Sequence, residues 1–455
     1  MKITHLVMPA ALALATACGD DPMPAPFDGD PAAIDGEASY FEKLATVTVA
    51  PAGVTPADGV LTPAQFEDRA LALIDTAEDK IEMAVAHLNS EAIAEALVAK
   101  AQAGVDVRVA ADADTADEVG FALLEAGGVP ITYGDGQQFW SPQPGIEVDR
   151  TGDSNRMTHG FLLVDQYRFI SLTGGFQGPD STMWQLGAQG RGEILGRDMG
   201  HSLNQLIGGT FSTSLTVFGA PLGADGNFRT FYPVEDGVVE WSIGPQEPLT
   251  KELIDRVYGA RSSVWVVAQS FSNPRLFEAL AYKAAAGFDV QVVLAPEAAS
   301  EAWPVDNTCE GTAAFCCGDD PNTGEPRADC VEVSLAGDLS AVFQAVAAEG
   351  RVAPTGRTLR PSLAVREGVV GTTILIDVDP SPMNGVKYPG QVMVSSQPLA
   401  PTVAFGRDLA DDLVYALPSD FFTDGNLLVL HESLVRRQSD YEAAVSWYLN
   451  LLEAR

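Results

Sequence analysis

The sequence is short of positive charge. Its 455 residues include 27 Lys and Arg against 62 Asp and Glu, which gives a formal net charge of −35 at pH 7. A surface with this balance repels nucleic acid and anionic bilayers and favours solubility. A generally acidic proteome would produce the same composition, so the charge by itself does not define a function. It does predict that nucleic acid is not a partner.

Histidine is also scarce, and the common metal and phosphate motifs are missing. The chain has five His, and no two of them form an H-x-x-x-H pair, nor does any follow a Glu at the spacing E-x-x-H. There is no glycine-rich phosphate loop that ends in Lys. We therefore expect neither a metal site nor a cofactor.

Long apolar runs are missing outside the N-terminus. Lys2 is followed by an almost wholly apolar segment from Ile3 to Leu14 and then by Ala-Thr-Ala before Cys18. This pattern predicts an export signal over residues 1–18 and resembles a bacterial lipoprotein box, although Ala15 stands where that box normally has Leu. Cleavage after Ala17 by a general signal peptidase is the alternative. We expect a cell-envelope lipoprotein, or a periplasmic or secreted protein, that meets the membrane only through a lipid on Cys18.

A tether and then an ordered body follow the signal. Residues 19–60 are rich in Asp, Pro and Ala, which predicts a flexible tether. From Thr62 onward, helical and strand patterns alternate. The predicted elements are a helix that starts near Thr62, a strand over 81–88, a helix over 91–103, a strand over 105–111, a helix over 116–126 and a strand over 129–133.

An internal repeat predicts the architecture. The segment Glu95–Val109 returns as Glu278–Val292 without a gap, with ten of fifteen residues identical. The match passes through a helix, a glycine turn and a strand, so it is more than a similarity between two Ala-rich helices. We predict two homologous α/β halves, residues 61–235 and 236–455, each with a largely parallel sheet.

A candidate site follows the first repeat. His159 precedes an apolar run that ends at Asp165, and the glycine-rich turn Thr173–Gln177 comes after the next predicted strand, 168–172. The pattern resembles the signature of the phospholipase D superfamily, H-x-K-x4-D followed by a G-S-x-N turn. Placing His159 on the family's His deletes the Lys, and Gly175 and Gln177 stand where the family has Ser and Asn.

The second half carries an even more degenerate copy. When Asp377 is aligned with the family's Asp, Val370 takes the place of the His and Thr372 that of the Lys. Downstream, Ser396 matches the turn's Ser, but Pro398 replaces its Asn. Most of the positions that carry chemistry in the family are therefore changed here.

The resemblance implies two α/β/α halves related by a pseudo-twofold axis, with one active site between them. Such a site uses one His as nucleophile, a second as general acid, and Lys and Asn side chains around the phosphate. Only His159 remains as a possible nucleophile, with Asp165 after it. His87 ends the first repeat strand, where the second copy has Ser270, and could face the same cleft.

These losses favour a catalytically impaired protein that binds an unknown ligand in the cleft between the halves. The alternative is an active phosphodiesterase that hydrolyses phospholipid or nucleic acid with His159 in a remodelled site. A purely structural envelope protein is the third possibility. Turnover of a phosphodiester separates the second from the others, and a ligand-dependent melting shift separates the first from the third.

The remaining cysteines form one cluster. Cys309, Cys316, Cys317 and Cys330 lie within 22 residues of the second half. An even set in an exported chain predicts two disulfides inside an inserted loop, 309–330. A zinc site is the rival, but the segment has no His and adjacent cysteines chelate poorly.

Overall fold

The first half alternates strands and helices in the predicted manner. In chain order its elements are β1 (Leu44–Val49), α1 (Pro63–Asp75), β2 (Lys80–Val85), α2 (Glu91–Gln102), β3 (Asp106–Asp112), a short 3-10 helix (Ala113–Thr115), α3 (Val119–Ala126), β4 (Ile131–Gly134), β5 (Gly160–Val164), β6 (Arg168–Leu172), β7 (Gln185–Arg191) and α4 (Glu193–Ile207).

The second half repeats this order with additions. Its elements are β8 (Phe231–Val234), β9 (Gly237–Ile243), α5 (Leu249–Gly259), β10 (Ser263–Ala268), α6 (Pro274–Ala285), β11 (Asp289–Leu294), α7 (Pro296–Ser300), β12 (Ala302–Asp306), β13 (Cys330–Ser334), β14 (Ser362–Val365), β15 (Thr372–Ile376), β16 (Gln391–Ser395), β17 (Ala404–Arg407), β18 (Val414–Ala416), β19 (Asn426–Glu432) and α8 (Ser439–Glu453).

These elements come from a computed structural model of the chain, and all of them belong to one unit that runs from Tyr40 to Arg455. The structure describes residues 43–134, 157–207, 231–234, 237–244, 249–271, 273–300, 302–306, 330–334, 339, 343, 361–378, 388–396, 404–407, 414–416, 425–432 and 439–453.

The two main sheets have the same strand order. The first runs β1-β7-β6-β5-β2-β3-β4, and the second runs β8-β9-β19-β16-β15-β10-β11-β14 when read in the matching direction. Apart from β8, each strand of one sheet therefore has a counterpart in the other. The chain is an α/β protein of two homologous halves, as the repeat predicted, related by a pseudo-twofold axis, as the resemblance implied.

The prediction of largely parallel sheets is wrong. Only the β2-β3-β4 segment and its counterpart β10-β11-β14 are parallel. The strands from β5 onward pair antiparallel, because short turns connect β5 to β6 and leave no room for the crossover that parallel neighbours need. The repeat had covered only the parallel part of each sheet.

Local sequence signals explain where the first helices begin. Helix α1 starts with a capping box, in which the side chains of Thr62 and Gln65 each bond the other's backbone N–H, and Pro63 occupies the first helical turn. Helix α2 is capped by Ser90, whose hydroxyl accepts the N–H of Ile93. The repeated helices are thus placed by their own caps, which fixes the strands that follow them.

Three apolar clusters hold the layers together. One packs helices α1 to α3 against the outer face of the first sheet, and a second does the same for α5 to α7 on the second sheet. The third lies between the halves and joins both inner faces with α4 and α8; it includes Phe161, Trp241, Trp265 and Trp447. A continuous buried core across the halves fixes them as one body.

Two predicted boundaries need correction. The tether over 19–60 is wrong for Leu44–Val49, because this segment is strand β1 and pairs along its whole length with β7. Its two alternating Val residues, both fully buried, provide the apolar face that an edge strand needs. The boundary at 235 also falls too late, since β8 (Phe231–Val234) pairs with β9 of the second sheet.

Most of the Cys-bearing segment lies outside the described residues, as do Cys18 and Pro398. Strands β12 and β13 enclose the segment, with Asp306 paired to Cys330. An insertion closed by a two-stranded hairpin fits this position, and the disulfides stay a prediction. Among the described residues, no helix has the length and apolarity required to cross a membrane.

Candidate functional site

Strand β5 carries the first motif and lies antiparallel beside β2. The pairs run from Ile81 opposite Val164 to Val85 opposite Gly160. One more bond continues the ladder, since the N–H of Ala86 donates to the carbonyl of His159 at 2.7 Å. This register places residue 87 across from residue 158. The same end of the strand pair therefore holds His87, Thr158 and His159.

Asp165 lies at the opposite end of β5 from His159. Its backbone adopts the left-handed region (φ 53°), and its carboxylate accepts the N–H groups of Glu78, Asp79 and Lys80 at 2.9–3.3 Å. These bonds fix the turn that leads into β2. A strand of five residues separates the carboxylate from His159. The assignment of Asp165 to catalysis is thus replaced by a structural role.

Asp377 has the same structural role in the second half. It has φ 54°, and its carboxylate accepts the N–H groups of Arg261, Ser262 and Ser263 at 2.6–3.3 Å and the hydroxyl of Ser262 at 2.9 Å. The equal conformations and equivalent donors establish that Asp165 and Asp377 correspond. Strands β5 and β15, both of five residues, therefore align without a gap.

The gapless alignment changes the assignment of the first motif. Counting back from Asp165 as from Asp377, the family's His position is Thr158, the counterpart of Val370, and its Lys position is Gly160, the counterpart of Thr372. His159 corresponds to Gly371. Because side chains alternate along a strand, a shift by one residue places His159 on the opposite face from the expected nucleophile.

His159 is consequently a core residue. Its neighbours two and four places along, Phe161 and Leu163, both belong to the central core, and its own ring has no exposed surface. Within the part of the chain that the structure describes, neither ring nitrogen has a hydrogen-bond partner. Burial lowers the pKa of His159 to about 3, which keeps the ring neutral. The imidazole is therefore part of the central core in this structure.

The glycine turn is shaped by packing. Gly175 has φ 69°, and a Cβ there would lie 2.6 Å from the carbonyl oxygen of His87. The Gln177 side chain donates to the carbonyl of Gly174 at 2.8 Å and accepts from the amide of Asn89 at 2.9 Å. Gln177 thus stabilises the turn from inside, in a place where the resemblance led us to expect a phosphate ligand.

Neutral polar groups fill the contact between the halves at this level. Asn426 of β19 accepts the N–H of Gly160 at 3.1 Å and donates to the hydroxyl of Ser171 at 2.8 Å. Its own N–H donates to the hydroxyl of Ser396 at 2.9 Å. These side chains are all buried. The matching Ser396 therefore joins a hydrogen-bonded network between the halves.

The family's cationic positions are closed by backbone and apolar atoms. A Cβ at Gly160 would lie 2.1 Å from the carbonyl oxygen of Leu172, so this strand accepts no side chain there. In the second half Thr372 is fully buried. One methyl group of Val370 approaches Gly174 across the interface, to within 2.8 Å of where a Cβ of Gly174 would be. No ionisable group stands at any of these positions.

An oriented imidazole lies beside the same turn. Nδ1 of His87 donates to one oxygen of the Glu118 carboxylate at 2.7 Å, and the other carboxylate oxygen accepts the N–H of Leu88 at 2.7 Å. The His87 side chain is 40% exposed, in contrast to the buried His159. The sequence placed His87 near the cleft but gave no sign of Glu118.

An open groove of about 590 Å³ adjoins the turn. Its walls carry three carboxylates and two carboxamides, contributed by Glu67, Glu91, Asp180, Asn89 and Gln177. One rim reaches the second half, since Thr182 packs on Gly368 and the N–H of Trp184 donates to the Gly368 carbonyl at 2.8 Å. The described residues contain no group of three or more potential metal ligands.

Comparisons with known proteins concern the fold. No family model and no curated protein sequence matches the chain. Among solved structures, polyphosphate kinase from Porphyromonas gingivalis is 14% identical over 90% of this chain and 50% of its own, with a TM-score of 0.44. The chain thus spans half the length of that kinase.

Two further structures are similar. Phosphatidylserine synthase from Haemophilus influenzae Rd KW20 is 10% identical over 86% of this chain and 85% of its own, with a TM-score of 0.47. Nuc from Salmonella typhimurium, described as a phospholipase D family member, is 16% identical over 36% of this chain and 93% of its own, with a TM-score of 0.27. All three structures are less than 20% identical to the chain and have TM-scores below 0.5. The resemblance to the phospholipase D superfamily therefore stays a prediction from the sequence.

Proposed function

We propose that this protein keeps a phosphodiesterase fold without phosphodiester turnover and acts as a binding module. The observation that carries the proposal is the closure at Gly160, where a side chain would collide with the carbonyl of Leu172. A phosphate held at this level would meet no ammonium group and no imidazole from either motif. Each missing electrostatic donor typically removes about 3 kcal/mol of transition-state stabilisation.

Burial of His159 supports the same conclusion. A nucleophile must touch the phosphorus atom, and this ring lies inside the central core with no exposed surface. The general acid that would protonate a leaving group is also missing at Val370, whose side chain cannot donate. Loss of acid catalysis typically costs a factor of about 10² to 10⁴ in rate. An active phosphodiesterase built on His159 is therefore the weaker candidate.

The acidic groove is the proposed binding surface. Glu67, Glu91 and Asp180 give it negative charge, and the carboxamides of Asn89 and Gln177, which bond each other, make its wall polar. Such walls suit an uncharged or cationic polar ligand and disfavour phosphate. All of the groove's lining residues belong to the first half, and one of them, Thr182, packs on Gly368 of the second half.

The test compares turnover and binding in one preparation. The chain is incubated with bis(p-nitrophenyl) phosphate, a phosphatidylcholine vesicle and single-stranded DNA, beside His159→Gln. We expect no phosphodiester release above the level of the variant. Release that disappears in His159→Gln would overturn the proposal and establish the phosphodiesterase.

Binding is measured by thermal shift with spermine as a cationic probe and inorganic phosphate as the anionic one. We expect spermine to raise the melting temperature and phosphate to leave it unchanged. Asp180→Asn should reduce the spermine shift, and Asp106→Asn, an exposed acid outside the groove, serves as the matched control. Equal shifts with both variants would exclude the groove, and no shift at all would favour a structural envelope protein.

We also propose export and attachment through Cys18. The support is the sequence alone: Lys2, the apolar segment Ile3–Leu14 and small residues before Cys18. Incorporation of radiolabelled palmitate into the full chain, and its loss in Cys18→Ser, would support the lipid anchor. Export without label in either form would favour cleavage after Ala17.

A further inference from the structure

His87 is an oriented imidazole that the proposed binding function does not use. We propose that His87 and Glu118 form a general-base dyad that hydrolyses uncharged carboxylic esters, an activity that goes beyond the proposed binding function. The dyad does not use His159 or any position of the two motifs.

The geometry is that of an oriented base. The Glu118 carboxylate is anchored at one oxygen by the N–H of Leu88 (2.7 Å) and meets Nδ1 of His87 with the other (2.7 Å). A carboxylate can only accept, so Nδ1 carries a proton, and in the neutral ring Nε2 is then the nitrogen with the lone pair. The His87 side chain is 40% exposed, so the ring is partly open to solvent.

Neighbouring contacts hold the dyad in place. The hydroxyl of Thr115 donates to the carbonyl of Ala86 at 2.5 Å, which attaches the loop before Glu118 to the strand end before His87. On the other side, the N–H of Phe176 donates to the His87 carbonyl at 3.0 Å, and Gly175 packs against the same residue. Two independent segments thus fix the backbone of the base.

The surrounding charge selects the substrate class. The segments that meet here, 84–92, 110–120, 157–165 and 173–183, contain no Lys and no Arg. They do contain Asp114, Asp117 and Glu118 on the loop beside the imidazole. An anionic ester would be repelled and would find no cation to bind it. An uncharged carboxylic ester is not subject to this repulsion, and the developing imidazolium is stabilised by Glu118.

The proposed step is a hydrolysis. Nε2 of His87 takes a proton from water while the water oxygen forms a bond to the acyl carbon. The bond from that carbon to the ester oxygen then breaks, and its electron pair leaves with the oxygen. The imidazolium returns its proton to the departing alkoxide or phenoxide, so that the products are a carboxylic acid and an alcohol or phenol.

The experiment measures hydrolysis of p-nitrophenyl acetate by the full chain and by His87→Gln, Glu118→Gln and Glu118→Asp. General-base catalysis is typically a factor of about 10² or more, so we expect His87→Gln to lose at least about tenfold of the protein-dependent rate. Glu118→Gln should lower kcat with KM unchanged, and Glu118→Asp should recover part of it. His201→Gln removes another exposed imidazole and is the matched control.

Two readouts separate general-base hydrolysis at His87 from direct attack by the imidazole and from hydrolysis by surface imidazoles at large. A rate that falls by about two- to threefold in D₂O indicates proton transfer by a base, whereas no change would indicate direct attack and overturn the mechanism. Full activity in folded His87→Gln, or equal losses in His201→Gln, would overturn the proposal. Release from bis(p-nitrophenyl) phosphate would instead contradict the proposed function, whatever the ester result.

Discussion

The two halves of this molecule share their scaffold, but they differ at the positions where the resemblance predicts an active site. Each half has an aspartate in the left-handed conformation that accepts the N–H groups of three consecutive residues before its central strand. Each half also has a lysine, Lys100 or Lys283, that donates to carbonyls at the end of the preceding helix. These shared polar residues are structural anchors.

The positions where the resemblance predicts chemistry are unlike each other. The His and Lys positions are Thr158 and Gly160 in the first half and Val370 and Thr372 in the second. The difference teaches that the duplicated signature in this chain survives where it stabilises the fold, at Asp165 and Asp377. A search for catalysis is better directed to residues outside the signature, such as His87.

The largest predicted effect concerns His159, which has Gly371 as its counterpart. The pKa of His159 is lowered to about 3 by burial, whereas an unfolded His titrates near 6.5. The unfolded state therefore binds the proton first, so stability is complete above about pH 6.5 and falls as the pH decreases towards 3. At pH 4 this single group should cost about 3 kcal/mol.

Chemical denaturation between pH 7 and pH 4 tests this, with His159→Leu as the comparison. We expect the wild-type free energy of unfolding to decline by about 3 kcal/mol more than that of the variant over this interval. Parallel declines would mean that His159 gains a partner or solvent in the folded state. Such a result would also reopen the question of its access to substrate.

The second prediction compares the two aspartates. Hydrogen bonds to a charged group contribute about 1.5–3 kcal/mol each, and Asn at either position keeps the left-handed backbone while it loses the charge. Asp377 is 6% exposed and accepts from a side chain as well as from backbone. We expect Asp377→Asn to cost about 3 kcal/mol and Asp165→Asn about 2 kcal/mol.

Urea denaturation of both variants gives the measurement. Folded circular-dichroism spectra are the control, because the comparison requires that each variant still folds. A larger loss at Asp165 than at Asp377 would contradict the prediction. It would also restore interest in Asp165 as a group with a role beyond the turn that it fixes.

Much of the fold could be predicted from the sequence. The repeat Glu95–Val109 with Glu278–Val292 identified the halves, because helix, turn and strand signals are local and survive in both copies. The strand over 168–172 was predicted with its observed bounds. The antiparallel part of each sheet was missed, since pairing direction depends on connections that local patterns do not record.

The site was harder to predict for a specific reason. The sequence alignment moved a gap into β5 in order to keep His159 on the motif, and a one-residue shift reverses the face of every side chain in a strand. The hydrogen bonds of Asp165 and Asp377 decide the alignment, and they are visible only in three dimensions. Glu118 comes to His87 from 31 residues away, with no periodic signal between them.

The smallest predicted effect concerns the two lysines, and it tests whether the halves are equally dependent on their shared anchors. Lys283 donates to the carbonyls of Tyr258 and Ala260 at 2.7 Å each, at the end of α5. Lys100 donates to those of Asp75 and Ala77 at 2.6 and 3.1 Å, beyond α1. A cation at these carbonyls satisfies otherwise unpaired acceptors and opposes the negative end of the helix dipole.

Substitution by Met keeps the aliphatic stem and removes the charge. Lys283 is only 5% exposed, so its carbonyl partners cannot turn to water when it is replaced. We expect Lys283→Met to cost about 2 kcal/mol and Lys100→Met, where water can compensate, about 1 kcal/mol. Thermal and urea unfolding of both variants measures the difference. Equal losses of unfolding free energy would show that burial does not distinguish the two lysines. Faster hydrogen exchange confined to the end of α5 in Lys283→Met would show that the second half depends on its lysine more than the first.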